Sequence, residues 1–391
     1  MGKKIGILTF HYAHNYGAVL QAYALKTKLQ RMGYEVQVLN YRNKYIARSY
    51  RKGIHIDFWK RDIMPNRWGR ILGLIKEQRY GSKEWCKQWE SFEDFIQDHL
   101  MEKQKESVLA VEDLEKTDCD LYILGSDQIW AKELTHGLDM AYFGQFAGGK
   151  KKISYAASVP NGDIPEAEKQ YFKEYLSSLA YISVREEKLA EELRSLLKKE
   201  VTTVVDPTLL LEEKDYDTIV YDQPIVEEPY IFAYYVVENK MLSRLARQAA
   251  KMMKCKLVEL HYHRTKALDM EMQETREILA REGKDSHEMI DYVYTAGPRE
   301  FLTYIRDAQM VLTNSFHGTV FSILFRKKFY SVYETNGRIE NLLGFLGLED
   351  RHITEEKNIC PEKEIDYADM VAKLESYRHV SSAFLQKSIE E

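Results

Sequence analysis

Cysteines, long apolar runs and an excess of charge of one sign are all scarce in this sequence. Its 391 residues include four cysteines, which lie far apart without a CxxC or other metal-ligand spacing. Scattered thiols in a chain of this size argue against a disulfide scaffold and favour a reducing compartment. No apolar stretch reaches the length that crosses a bilayer. The net charge is only −5, so the composition does not indicate a nucleic-acid partner.

Several motifs that mark large enzyme classes are also absent. The sequence contains no GxGxxG, Walker A, GxSxG or HExxH pattern, which makes dinucleotide-dependent oxidoreductases, P-loop NTPases and serine hydrolases poor candidates. Residues 1–10 carry two lysines and a short apolar run but no small-residue cleavage site. We interpret them as a buried strand and not as a signal peptide. The cytoplasm is therefore the expected compartment.

Alternating strand and helix patterns predict an α/β fold with two lobes. Residues 4–41 have a βαβ pattern that opens a parallel sheet. We expect a first lobe over 1–215, interrupted by a helical insertion over 42–115, and a second lobe over 225–340. Helices in 341–391 are expected to return to the first lobe. The cleft between the lobes is the expected position of a site.

The insertion is charged, aromatic and mostly helical in pattern. Its first part mixes basic residues with tryptophan: Arg48, Arg51, Lys52, Trp59, Lys60, Arg61, Arg67, Trp68 and Arg70. Such a mixture could contact an anionic membrane surface at the inner face of the membrane, or hold a lipid-linked ligand. The alternative is a charged helical flap packed on the first lobe, since no sustained amphipathic pattern is visible.

One histidine, His317, falls where α/β proteins often bind ligands. The run 311–320 predicts a short strand, a tight loop and a new helix, with His317 in the first turn of that helix. Strand carboxyl ends form the ligand crevice of open α/β sheets, and helix N-termini bind anions. The helix dipole also favours a neutral imidazole that can act as a general base. The alternative is a histidine that merely caps or packs at a helix start.

The loop after the first predicted strand is a second candidate for the site. Asn15 is suited to cap the next helix, and Tyr16 and Gly17 begin that helix where a ligand could approach the backbone. His11 and His14 have an HxxH spacing, but no third ligand lies nearby in the sequence, so no zinc site is expected. We expect this loop, with His11, to line the site without holding a metal.

Two further strand ends carry polar side chains. Ser126 and Asp127 follow a predicted strand and could bind a ligand hydroxyl or cap a helix. Arg185 falls between a strand and a helix, where a guanidinium can hold a phosphate or carboxylate through paired hydrogen bonds. An ion pair with Glu186 or Glu187 is the alternative for Arg185.

Together these segments resemble the polysaccharide pyruvyl transferase family over nearly the whole chain. The matching motifs are GILTF from Gly6, NYGAVLQA from Asn15, GSDQIW from Gly125, SYAAS from Ser154, SVRE from Ser183, VDPT from Val205 and SFHGT from Ser315. The resemblance implies a fold similar to the GT-B glycosyltransferases, with two Rossmann-like lobes. It also implies transfer of a pyruvyl group from phosphoenolpyruvate to two hydroxyls of a saccharide, forming a cyclic ketal in cell-surface polysaccharide biosynthesis without a metal or cofactor.

The resemblance assigns roles to individual residues. His317 would be the general acid or base, and Arg185 would hold the phosphate or carboxylate of the donor. Helix N-termini at Gly17 and Gly318 would add backbone donors. The acceptor saccharide, free or lipid-linked, would contact the other residues that line the cleft: His11, Asn15, Tyr16, Ser126, Asp127 and Ser315.

One position departs from the family pattern. Well-studied members carry an arginine two positions before the motif histidine, and here that position is Ser315. Losing a guanidinium removes one of the strongest contacts of a dianion site, so a phosphoenolpyruvate donor would need another cation. Arg299 and Arg264 are the predicted replacements, because both follow strand ends in the second lobe. Ser315→Arg is then expected to strengthen phosphoenolpyruvate binding.

Two other functions are compatible with the sequence. A glycosyltransferase that uses a nucleotide sugar would share the two-lobed shape. A non-catalytic sugar-binding protein of a polysaccharide pathway would explain the loss of the motif arginine. Catalysis with an anionic donor is preferred, because His317 and Arg185 both remain at strand ends where a binding protein would not need them.

Overall fold

The computed structural model describes residues 2–50, 82–102, 108–261, 270, 273, 277, 290–333, 337–354 and 359–391. Over these residues the chain forms two parallel β-sheets flanked by helices. This arrangement confirms the expected α/β fold with two Rossmann-like lobes.

The first lobe is built on short strands, of which the first and third are apolar and buried. Its strands are β1 (Lys4–Leu8), β2 (Glu35–Val38), β3 (Leu121–Leu124), β4 (Lys151–Ser154), β5 (Ser183–Val184) and β6 (Thr202–Thr203). Its helices are α1 (Tyr16–Arg31), α2 (Lys44–Ser49), α3 (Ser82–Phe95), α4 (Val111–Leu114), α5 (Lys132–Thr135), α6 (Lys169–Leu176) and α7 (Glu187–Leu197). Strands this apolar are typical of a parallel sheet that helices cover on both faces.

Parallel pairing brings several strand-end loops of this lobe together. The strand order is β2-β1-β3-β4, with every pair parallel. Strands β5 and β6 pair with each other, and a bridge between Ala157 and Val184 places β5 beside the chain that leaves β4. The carboxyl ends of parallel strands meet at one edge, so the loops after β3, β5 and β6 are neighbours.

The second lobe contains a six-stranded parallel sheet. Its strands are β7 (Tyr230–Tyr234), β8 (Lys256–Leu260), β9 (Ile290–Val293), β10 (Met310–Thr313), β11 (Lys328–Val332) and β12 (His352–Ile353). Its helices are α8 (Lys240–Met253), α9 (Pro298–Asp307), α10 (Phe316–Leu324) and α11 (Gly337–Leu346). The strand order is β12-β11-β10-β7-β8-β9. Strand β10 therefore lies near the centre, with β11 as its direct neighbour and β9 three strands away.

The part of the insertion that the structure describes is helical, as predicted. Helices α2, α3 and α4 and a π-helical segment, Ile96–Leu100, belong to it. The buried rings of Phe92 and Phe95 join α3 to the core. Of the nine basic and tryptophan residues of its first part, eight lie outside the described residues, and Arg48 lies within α2. The predicted membrane or flap surface therefore stays a prediction.

The last helix, α12 (Tyr367–Glu390), lies on the first lobe. Lys3 Nζ donates to the Ile389 carbonyl oxygen at 2.6 Å, and the Val205 amide donates to Ser381 Oγ at 3.0 Å. We keep the predicted domain bounds as a proposal. Within the described part of the chain, no helix combines the length and apolar character that crossing a bilayer requires.

Tyr16 connects the two lobes. It is the first residue of α1, is 1% exposed, and donates a hydrogen bond from its hydroxyl to the Ala296 carbonyl oxygen at 2.7 Å. Its ring stacks on Phe301 of α9, with 4.3 Å between the ring centroids. An aromatic pair of this kind fixes orientation as well as burying apolar area. Tyr16 therefore holds the lobes together at the base of the cleft.

Candidate active site

His317 lies in the first turn of α10, directly after the central strand β10. The turn is defined by two short hydrogen-bonded side chains. Thr313 Oγ1 accepts from the Ser315 amide at 3.0 Å, and Ser315 Oγ caps the helix by accepting from the Gly318 amide at 3.1 Å. The side chain of His317 is 10% exposed, and its Nε2 lies 3.5 Å from Asp206 Oδ2 of the other lobe.

Asp206 is the buried carboxylate that faces this imidazole. It follows β6 and caps the 3₁₀ turn Pro207–Leu210, where its Oδ1 accepts from the Thr208 amide at 3.0 Å. Burial acts to raise the pKa of Asp206, but His317 and Arg185 outweigh it and hold that pKa well below its usual range. Asp206 is therefore ionised and can stabilise an imidazolium on His317.

Arg185 binds the same carboxylate from the loop after β5. Its side chain is 4% exposed, and Nη1 donates to Asp206 Oδ2 at 2.6 Å. Nε lies 3.6 Å from Glu186 Oε1, and Nη2 lies 3.7 Å from Asp127 Oδ1. The ion-pair alternative is therefore realised with Glu186. Nε and Nη2 are buried without a hydrogen bond to any described residue, so both have unused donor capacity.

A second arginine, Arg338, lies beside Arg185. It belongs to the first turn of α11, and the two guanidinium carbons lie 5.8 Å and 5.3 Å from the centroid of the same Phe316 ring. Burial and the charge of Arg185 lower the pKa of Arg338. The contacts within the described part of the chain give Arg338 no hydrogen bond and no ion pair. Arg338 is only half-buried, and its guanidinium can therefore bind an anion at this position.

These groups border a cavity of about 800 Å³. Arg185, Glu186, Asp206, Phe316 and Arg338 line it, and β6, α7, α11 and α12 form its other walls. This volume falls within the range of about 300–1,000 Å³ that is typical of small-molecule sites. The cavity therefore combines two guanidinium groups with room for a small-molecule ligand.

Two glycines allow the close packing around His317. A Cβ atom on Gly17 would lie 1.9 Å from His317 Nδ1, and one on Gly318 would lie 2.6 Å from Thr313 Oγ1. Only glycine permits such approaches. Since Nδ1 packs against Gly17, Nε2 is the nitrogen that faces Asp206, which lines the cavity.

The other predicted residues of the first loop have structural contacts. His11 is fully buried, with Nε2 3.3 Å from Asn40 Oδ1, and burial together with Arg42 lowers the pKa of His11 to about 4. Asn15 caps α1 by accepting from the Ala18 amide at 3.3 Å, and it is exposed. Neither side chain lines the cavity beside Arg185.

Ser126 and Asp127, which follow β3, have different roles. Ser126 is buried and donates from Oγ to the Ala156 carbonyl oxygen at 3.0 Å. Asp127 Oδ1 accepts from the Gln128 amide at 2.8 Å and also faces Arg185. Ser126 therefore supports the loop, whereas Asp127 contributes charge to the site.

The two predicted replacement cations are not brought to His317. Arg299 donates from Nε to the Ile219 carbonyl oxygen at 3.1 Å, and its guanidinium lies 4.6 Å from the centroid of the Tyr221 ring. It starts the helix after β9, three strands from β10, and so lies away from the cavity. Arg264 lies outside the described residues. Arg338 follows β11, the neighbour of β10, and its guanidinium lies beside the Phe316 ring.

Ser315 itself is 6% exposed and is occupied as the cap of α10. An arginine there would lose this cap, which costs about 1 kcal/mol. The expected gain in donor binding from Ser315→Arg therefore has to exceed that loss, and it stays a prediction.

Sequence reasoning missed three residues of the site: Asp206, Glu186 and Arg338. All three follow strand carboxyl ends, so the rule that found His317 would also have found them. Within the described ranges, no group of three or more histidine, cysteine, aspartate or glutamate side chains could hold a metal ion. The chemistry that this arrangement supports is proton transfer and anion binding.

One family model matches most of the chain. The family model described as polysaccharide pyruvyl transferase matches residues 15–336. A comparison with curated protein sequences gives no match.

Similar solved structures show the fold. A Listeria monocytogenes protein described as a UDP-N-acetylglucosamine 2-epimerase is 11% identical and aligns over 99% of this chain and 91% of its own, with a TM-score of 0.50. A Neisseria meningitidis UDP-GlcNAc 2-epimerase bound to UDP-GlcNAc is 10% identical over 99% and 94%, with a TM-score of 0.47. An E. coli heptosyltransferase with ADP is 11% identical over 98% and 99%, with a TM-score of 0.42. The first similarity identifies a GT-B fold and nothing beyond it.

Proposed function

The chain belongs to the polysaccharide pyruvyl transferase family, and on that premise we propose that it transfers a pyruvyl group from phosphoenolpyruvate to two hydroxyls of a saccharide, forming a cyclic ketal. The observation that carries the proposal is the shared carboxylate of Asp206. It lies 3.5 Å from Nε2 of His317 and 2.6 Å from Nη1 of Arg185. One buried charge thus couples a proton-transfer group of one lobe to an anion-binding group of the other.

The donor carries a phosphate and a carboxylate, and the cavity offers two guanidinium groups for them. Arg338 takes the place of the family arginine that is missing at Ser315, and Arg185 is the second cation. Guanidinium groups bind such anions through paired, charge-assisted hydrogen bonds. The Gly318 amide already donates to Ser315, so the start of α10 contributes mainly through its dipole.

Ketal formation requires proton transfer at more than one atom. Two carbon–oxygen bonds form at C2 of the donor, and the bond from C2 to the phosphate oxygen breaks. One acceptor hydroxyl proton ends on C3, which becomes the methyl group, and the other leaves with the phosphate. His317 accepts a hydroxyl proton at Nε2 and passes it on, while Asp206 stabilises the imidazolium.

The acceptor, the compartment and contact with a membrane are further parts of the proposal. The acceptor saccharide, free or lipid-linked, occupies the cavity beyond the two guanidinium groups, and the protein acts in the cytoplasm. Contact of the insertion over 42–115 with the inner face of the membrane is a further proposal. Liposome co-sedimentation at low salt tests it, and a negative result there contradicts membrane contact.

Phosphate release tests the activity. Purified protein is incubated with phosphoenolpyruvate and a panel of free, nucleotide-linked and lipid-linked saccharides. We expect release that depends on both the donor and one class of acceptor, and that is lost in His317→Asn. Absence of release across the panel, together with absence of phosphoenolpyruvate binding by calorimetry, contradicts the proposal. A rise in melting temperature with uridine or guanosine nucleotides but not with phosphoenolpyruvate favours a nucleotide-sugar glycosyltransferase.

A further inference from the structure

The cavity beside Arg185 contains more negative than positive charge. Three carboxylates lie within 3.7 Å of its guanidinium, from Asp127, Glu186 and Asp206. Arg338 also lines the cavity, whereas its third arginine, Arg194, is paired with Glu187 at 2.6 Å. If all three carboxylates were ionised, two guanidinium groups would face three negative charges. A dianion would then bind poorly, because like charges in a buried site repel strongly.

Glu186 is the carboxyl group that can remove this excess. It is 4% exposed and precedes α7 without capping that helix through its side chain. Oε1 accepts from Ser158 Oγ at 2.8 Å, whereas Oε2 is buried without a hydrogen bond among the described residues. A proton on such an oxygen removes the cost of burying an unpaired negative charge.

The environment of Glu186 differs from that of Asp206. Burial raises the pKa of Glu186, and Arg185, Ser158 and Arg338 offset only part of that effect. The pKa of Asp206 is instead held low by His317 and Arg185. Two buried carboxyl groups in one cavity thus have opposite tendencies, and of the two Glu186 is the one that binds a proton more readily.

We propose that the cavity binds its anionic ligand together with a proton, which Glu186 takes up at Oε2 and shares with the anion as a hydrogen bond. Protonation removes one negative charge and converts an acceptor that repels the anion into a donor that binds it. The identification of this anion as the donor rests on the proposed function; the proton-linked anion site does not depend on it.

Other charged groups surround Glu186 and must be controlled for. Among the described residues they are Arg185, Glu187, Lys188 and Arg194 around α7, Glu200 and Asp206 at β6, Asp127 after β3, Asp163 in the adjacent loop, His317 on α10 and Arg338 on α11. A proton taken up by His317 would also favour an anion, so a variant at His317 is needed as a control.

The direction of the pH dependence follows from linkage. A bound anion raises the pKa of Glu186 further, so binding consumes a proton. Affinity therefore falls as the pH rises from the pKa of the free site to that of the occupied site, by up to about tenfold per pH unit.

Inorganic sulfate is a suitable probe, because it stays a dianion throughout the range from about pH 5 to pH 8. Titration calorimetry in two buffers of different ionisation enthalpy measures proton uptake by the unaltered protein. We expect net uptake of a proton and a sulfate Kd that rises with pH. Sulfate binding without proton uptake overturns the proposal, and absence of any sulfate binding overturns the anion site itself.

Variants identify the group that takes up the proton. Glu186→Gln keeps a hydrogen-bond donor without titrating, so its sulfate Kd should be independent of pH. Glu191→Gln is the matched control, since Glu191 is exposed on α7 and does not line the cavity, and it should keep the native dependence. His317→Asn should keep it as well. If Glu186→Gln keeps the dependence and His317→Asn loses it, the proposal is wrong.

The two proposals can fail separately. Phosphate release without proton-linked sulfate binding would contradict the role of Glu186 alone. Proton-linked sulfate binding without phosphate release would leave the anion site in place and contradict pyruvyl transfer.

Discussion

The imidazole of His317 packs directly on the backbone of Gly17, at a distance that excludes any side chain. A Cβ atom at Gly17 would lie 1.9 Å from Nδ1. The contact joins the first helix of one lobe to the motif helix of the other. It fixes the ring so that Nε2 faces Asp206.

Gly17→Ala is expected to displace the imidazole and lower kcat for phosphate release by about 100-fold, since misplacing a catalytic group by about 1 Å has effects of this size. Overpacking should also lower the free energy of unfolding by about 1–3 kcal/mol. Gly149→Ala is the control, because a Cβ atom there has no neighbour within 4 Å. Equal kcat values for the two variants would show that the contact has no role in activity.

His317→Asn and Asp206→Asn should each lower kcat by about 100-fold or more, which is the usual contribution of a general acid or base. The double variant should be little worse than either single variant, because two groups that act as a unit give non-additive losses. Steady-state kinetics of the three variants and the native protein form the cycle. Additive losses would mean that the two residues act independently.

Arg338→Gln should weaken phosphoenolpyruvate binding about 10- to 100-fold, because a hydrogen bond to a charged group contributes roughly 1.5–3 kcal/mol. Arg299→Gln should leave the donor Kd unchanged, since Arg299 contacts Ile219 and Tyr221 instead of the cavity. Calorimetric titration of both variants measures the difference. The opposite ranking would restore Arg299 as the replacement for the family arginine.

His261 makes a separate, pH-dependent contribution to stability. Burial alone would lower its pKa, but Glu238 at 3.1 Å and Glu259 at 3.2 Å raise it to about 9 from an ordinary value of 6.5. A pKa raised in the folded state stabilises fully below pH 6.5, and this stabilisation is lost as the pH rises through 9. The free energy of unfolding should fall by up to about 3 kcal/mol over that interval.

His261→Gln tests this contribution by removing the titrating group. Denaturant unfolding at several pH values should then give a flatter profile than the native protein. His379→Gln, on the exposed face of α12, should keep the native profile. An unchanged profile in His261→Gln would rule out His261 as the source.

Much of the fold and part of the site could be predicted from the sequence. Strand and helix periodicity gave the two parallel sheets, and the strand-end rule placed His317 and Arg185 at the cleft. Local periodicity does not predict the order of the strands in the sheet. For that reason the sequence pointed to Arg299 as the replacement cation, although Arg299 lies three strands from β10. Arg338, which follows the strand next to β10, was missed.

The environment of each side chain could not be predicted either. His11 and Arg185 both follow strand ends, yet His11 is fully buried against Asn40 and Arg185 lines the cavity. Burial and ion pairing depend on which distant segments meet, and so does the partner of His317. Asp206 is 111 positions away in the sequence, and the sequence assigned it no role beyond the VDPT motif.

The most direct test of pyruvyl transfer is the mass of the saccharide after incubation with phosphoenolpyruvate. The account predicts a gain of one pyruvate less one water, in amounts equal to the phosphate released, and no gain with His317→Asn. Phosphate release without any change in the saccharide, or a gain of a sugar unit from a nucleotide sugar, would contradict it.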